Sequence, residues 1–171
     1  MYTITKYKRF MGTDGHGFNA TLCRDGKPVA NMIDSGCGGC IDYSWLDFHA
    51  PRVDVPWLDW EDKPITIRAT PEEALLYEEC RGKTWTSNFK GMESKVFKYD
   101  PDYLVGQLIN DHENTRRFKT MCKSKTLVAF RGDPEGEYRV FKVPFSPRVK
   151  QELQARYGDK ITEFVNERYV A

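Results

Sequence analysis

Asp25-Gly26 sits between two short alternating runs, and this dipeptide constrains the chain more than any other. A two-residue hairpin turn needs positive φ at both positions, which Asp tolerates and Gly adopts freely. Before it, Phe18, Ala20 and Leu22 alternate with Asn19, Thr21 and Cys23; after it comes a return strand holding Val29, Asn31 and Ile33. A second glycine-rich turn, Ser35 to Cys40, leads into Ile41, Tyr43 and Trp45 at strand spacing. The first fifty residues therefore read as an antiparallel meander of three or four strands.

Prolines 51, 56 and 64 then interrupt regular structure, so Asp47 to Lys63 is expected to be an ordered connector anchored by Trp57 and Trp60. A short strand over Ile65 to Arg68 precedes Thr70-Pro71-Glu72-Glu73, which combines an N-cap hydroxyl, proline in the first helical position and Glu at the third. That helix should stop by Gly82. Asp100-Pro101 opens a second helix, with Leu104, Leu108, Thr115, Phe118 and Cys122 in one sector, running to about Cys122. Thr126 to Arg131 and Tyr138 to Phe145 read as a hairpin, and Ser146-Pro147 begins a helix that Gly158 ends. A last helix is expected from Asp159, with Ile161, Phe164, Val165 and Tyr169 on one face.

The fold class implied is α+β: an antiparallel β-meander and hairpins packed with several short helices, two of them at the C-terminus. At 171 residues and 40% hydrophobic content, the expectation is a single domain spanning 1–171. The region Met1 to Phe10 lacks the apolar stretch of a signal peptide, and no run approaches the ~20 apolar residues of a membrane span. Five cysteines without an export signal favour reduced thiols. The expected setting is a cytoplasm, with no membrane partner.

Cys37-Gly-Gly-Cys40 can aim two thiolates at one zinc ion, but a structural site needs two further ligands, and no second closely spaced pair exists. The competing reading is a tight turn that needs its glycines for backbone reasons. His16, beside Asp14 in the stretch Gly12 to Gly17, has no second catalytic group at a fixed spacing. Glu93-Ser94-Lys95 has the local form of a metal-dependent nuclease strand, with Asp59, Glu61 or Asp62 as a preceding acid. A solvated charge pair explains it as well. No complete catalytic set emerges, and a non-enzymatic protein is expected.

Charge is distributed unevenly although the net value is +1. Arg116, Arg117, Lys119, Lys123 and Lys125 crowd ten residues without an acid, whereas residues 41–80 hold ten acids against three cations. The basic tract suits phosphates and makes nucleic acid a possible partner; the acidic tract suits a basic protein surface. Trp57, Trp60, Asp54, Asp59, Glu61 and Asp62 are accordingly the candidate partner-binding residues, a reading that Trp45 also motivates, with the alternative that the tryptophans are core.

Through Gly15-His-Gly-Phe18-Asn-Ala-Thr-Leu22, Asp25-Gly-Lys27 and Asp34-Ser-Gly-Cys-Gly-Gly39, the chain resembles small, functionally uncharacterised accessory proteins of bacteriophages and plasmids. The resemblance covers the amino-terminal meander and a tail from Tyr157-Gly158 to Glu167-Arg168, and it transfers no site residues. It implies an accessory protein, located in the host cytoplasm, that binds and inhibits or redirects a host protein or protein–nucleic-acid complex.

Overall fold

Asp25 and Gly26 take φ of 51° and 78°, and the two-residue turn they form joins the second and third strands of an antiparallel sheet. The computed structural model describes residues 1–59, 61–87, 93–134 and 136–169. Their contacts group into two compact units, Met1–Ile109 and Asn110–Ala171.

In the first unit, β1 (Tyr2–Met11), β2 (His16–Arg24), β3 (Lys27–Asp34) and β4 (Asp42–Trp45) lie in chain order, as a meander requires. The return strand differs in phase from the simple alternation. Its register slips between Leu22 and Cys23, so Ala30 and Met32 enter the core while Ile33 stays exposed.

β5 (Val53–Leu58) pairs with β6 (Pro64–Ala69), so the expected irregular connector contains a hairpin. Pro56 is tolerated there because a two-stranded ribbon has open edges where a missing N–H breaks no ladder bond. Asp59 builds the loop, its Oδ1 accepting from the N–H of Glu61 at 2.8 Å and of Lys63 at 2.9 Å.

Helix α1 (Pro71–Cys80) starts with both halves of a capping box: Thr70 Oγ1 accepts from Glu73 N, and Glu73 Oε2 accepts from Thr70 N, each at 3.1 Å. Thr70 is fully buried. Thr70→Ala should therefore lower unfolding stability by about 1–2 kcal/mol, at the upper end for a cap, as read from urea melts. β7 (Thr84–Ser87) and β8 (Lys95–Lys98) form another hairpin, and α2 (Pro101–Cys122) follows it. Gly106 and Asn114 do not break α2, whose length outweighs their propensity cost. The core of this unit joins Ile4, Phe18, Leu22 and Met32 of the meander to Leu76 of α1 and Val105 and Ile109 of α2.

The second unit is organised around β9 (Thr126–Phe130), flanked by β10 (Arg139–Phe141) and β11 (Ile161–Phe164), all antiparallel. Between β10 and β11 lie α3 (Pro147–Tyr157), capped by Ser146, and a 3₁₀ turn over Gly158–Lys160. Leu153 of α3 packs on Val128, Phe130 and Phe164.

The expected helix from Asp159 is replaced by β11 and a four-residue turn of helix, α4 (Asn166–Tyr169). A register shift between Ile161 and Glu163 brings Ile161 and Phe164 into one cluster, while Val165, just after the strand, is buried in another. That bulged strand reproduces the apolar spacing of a helix, while the free side of β9 supplies the pairing that selects a strand. No helix among the described residues is long and apolar enough to cross a membrane.

Candidate functional site

A cleft in the first unit has aromatic walls and an acidic rim. β4 contributes Tyr43 and Trp45, stacked with centroids 5.6 Å apart and planes within 10°. β5 contributes Trp57 and α1 contributes Tyr77, in edge-to-face contact at 4.9 Å, over a cleft of about 320 Å³. Trp57 lies two residues beyond the buried Val55, on the same face of β5, and is half-exposed. Arg81 already lies 5.9 Å from the centroid of the Trp57 ring, held by a two-point ion pair with Glu78.

Three carboxylates complete the rim, each placed by a helix start: Glu73 in the first turn of α1, and Asp100 and Asp102 at the beginning of α2. Asp102 accepts from the Tyr43 hydroxyl at 2.9 Å and from the N–H of Ile41 at 3.2 Å, tying β4 to the helix. Asp100 Oδ1 accepts from Tyr103 N at 2.7 Å, and Glu73 faces Arg52 at 3.3 Å. The positive ends of the helices attract these acids but do not cancel their field in the cleft. Burial, then the charges of Asp102 and Asp100, push the Tyr43 hydroxyl well above the usual phenol range. Tyr77 is pushed up the same way, by burial and then by Glu73, Asp102 and Asp100.

Of the partner-binding candidates read from sequence, Trp57 lines this cleft and Trp60 lies outside the described residues. The four connector acids have local partners instead: Asp54 faces Arg68 at 3.8 Å, Glu61 pairs with Lys63, Asp62 pairs with Lys98 at 2.6 Å, and Asp59 holds its own loop. Trp45, which also motivated the contact reading, lines the cleft, whereas the residues that sequence reasoning missed are Tyr43, Tyr77, Glu73, Asp100 and Asp102. The signal was present in Thr70-Pro71-x-Glu73 and Asp100-Pro101-Asp102, where the acids read only as helix starts.

The basic tract falls in the second unit, with Arg116, Arg117 and Lys119 exposed on α2, Lys123 exposed in the turn after it and Lys125 half-buried. Arg117 stacks 5.1 Å from the Phe118 centroid. This unit has 13 Lys and Arg against 9 Asp and Glu; the first has 13 against 16. A wider depression of about 590 Å³ on the second unit is lined by Arg131, Arg139, Lys160 and Asp159 around Phe130 and Tyr157. Arg139, fixed by Asp133, already covers Phe130 at 4.2 Å, so the depression offers charge without an open Phe130 face.

Cys37 and Cys40 are both exposed on the turn after β3. Among the described residues, no group of three or more His, Cys, Asp or Glu is placed to hold a metal ion. Glu93 is exposed just before β8, and Lys95 begins that strand.

The Ser35 and Thr13 side chains beside Cys37 hold its thiol below the usual range, whereas burial pushes Cys80 up to about 12 and also raises Cys122. A lowered thiol pKa means more thiolate at neutral pH. Timed iodoacetamide labelling with peptide mapping should therefore modify Cys37 at least tenfold faster than Cys80 or Cys122 in the folded protein.

No protein-family model, curated protein or solved structure matches the chain.

Proposed function

We propose that the protein is a non-enzymatic interaction module that binds a partner protein through the acidic aromatic cleft of its first unit. On this reading it inhibits or redirects a host macromolecule, consistent with the resemblance to phage and plasmid accessory proteins. The observation that carries the proposal is the joining of four aromatic side chains and three carboxylates in one concave surface. Aromatic anchors supply contact area at low entropic cost, and a charged rim selects partners of opposite sign.

The test is affinity capture from lysate with nuclease present, using the full chain and a Trp57→Ala variant. The expected result is a nuclease-resistant protein partner whose recovery falls at least tenfold with Trp57→Ala. Equal recovery on both baits would remove the cleft from the contact.

A second reading, nucleic-acid binding by the second unit, is favoured by its cationic excess and the exposed basic face of α2. Counterion release would then make binding fall steeply with salt. Replacing Arg116 and Lys119 by Ala should lower affinity similarly for all sequences and flatten the salt dependence by about one unit for each lost phosphate contact.

A further inference from the structure

We infer that the occupant of the acidic aromatic cleft is an arginine side chain of the partner protein, seated flat against the Tyr43–Trp45 wall with its guanidinium toward Asp100 and Asp102. The inference rests on the protein-contact reading above and adds the chemistry of the group recognised.

Aromatic faces carry negative electrostatic potential and attract cations, more strongly where water is excluded. A cleft with carboxylates from two helix starts adds formal negative charge; the same carboxylates, after burial, raise the Tyr43 and Tyr77 hydroxyls. The cleft therefore selects a cation over a neutral or anionic group.

Geometry then separates the kinds of cation. Tyr43 and Trp45 stack nearly parallel, with Trp45 buried in the core, so the aromatic lining of the cleft is flat and matches a planar group better than a tetrahedral ammonium. Asp102 spends one bond on each oxygen, to Tyr43 and Ile41, yet a carboxylate has about four acceptor sites and keeps capacity for donors. A quaternary ammonium has no N–H to use it, whereas a guanidinium has five. The same protein already pairs a guanidinium with Trp57, where Arg81 lies 5.9 Å from the ring centroid while bonded to Glu78. A further arginine at the cleft would repeat that combination of ring and carboxylate.

The experiment titrates the full-length, ¹⁵N-labelled protein with N-acetylarginine amide, its lysine and trimethyllysine counterparts, and the citrulline amide, which keeps the arginine shape without the charge. The tryptophan indole N–H signals report occupancy. Saturable movement of the Trp45 and Trp57 signals is expected with arginine, at least threefold weaker binding with lysine and none with citrulline. Trp57→Leu should weaken arginine binding at least tenfold. Asp100→Asn, which keeps an acceptor for Tyr103 N, should weaken it severalfold in a protein that remains folded.

Citrulline binding as well as arginine, or trimethyllysine binding better, overturns the assignment. If arginine amide has no effect while protein capture still depends on Trp57, the arginine assignment fails and the protein-contact reading stands. If arginine amide binds at Trp57 while the captured partner is indifferent to Trp57→Ala, the cleft takes a free guanidinium compound and the protein-contact reading fails.

Discussion

Replacing Asn166 by Leu is expected to destabilise the second unit by about 3–5 kcal/mol. Asn166 is fully buried, and its side chain makes three backbone connections. Its Oδ1 accepts from Leu127 N at 2.8 Å, and its Nδ2 donates to the carbonyls of Lys125 at 2.7 Å and Cys122 at 3.4 Å. One amide thus joins the end of α2, the start of β9 and the start of α4. Leucine fills a similar volume but leaves one N–H and two carbonyls without partners, each costing about 1–3 kcal/mol where water cannot reach. Urea unfolding should show the loss as a lower midpoint, and the Leu127 amide should exchange with deuterium much faster. A loss below about 1 kcal/mol would mean that water replaces the amide, contrary to its burial.

The second large effect is expected at Gly36. Its φ is 69°, and an added Cβ would lie 2.7 Å from the backbone nitrogen of Gly17 and 3.0 Å from the oxygen of Gly15. Two glycine-rich loops meet there: Asp14 N donates to the Gly36 carbonyl at 3.0 Å, and Gly36 N donates to Asp34 Oδ1 at 2.8 Å. Backbone cannot swing aside as a side chain does, so Gly36→Ala should cost about 2–4 kcal/mol. Gly38 is the internal control, with φ of 73° and nothing within 4 Å of an added Cβ. Gly38→Ala should show conformational strain alone, about 1–2 kcal/mol. Thermal melts of the two variants separate strain from collision, and equal losses would refute the close approach of the loops.

Much of the fold was legible because its signals are local. Asp25-Gly26, the Thr70 capping box, Asp100-Pro101 and Ser146-Pro147 each specify a backbone geometry within a few residues, and each produced the turn or helix start it implies. What the sequence concealed depends on partners distant in the chain. β5 needed β6 to make Pro56 tolerable, and β11 needed the unpaired side of β9 to turn a helix-like apolar spacing into a bulged strand.

The need for glycine at Gly12 is visible only against Ser35 and Gly36 of the next loop. The cleft was hidden for a similar reason. Its walls come from β4, β5, α1 and the start of α2, and of the residues that motivated the contact reading only Trp45 and Trp57 are among them. Its acids carried a sufficient local explanation as helix-capping groups. The uneven charge along the chain was legible directly, and the structure places its two signs in different units.

The measurement that bears most directly on the cleft as the contact surface is a ¹H–¹⁵N spectrum of the intact protein, recorded with and without its captured partner and followed at the tryptophan indoles. Trp45 and Trp57 line the cleft, whereas Trp85 stacks on Phe97 and Tyr103 apart from it. Movement of the Trp45 and Trp57 signals, with Trp85 unchanged, is the result expected of a partner seated in the cleft. Unmoved Trp45 and Trp57 signals, with the response confined to the amides of Arg116 to Lys125, would contradict it and assign contact to the basic face of the second unit.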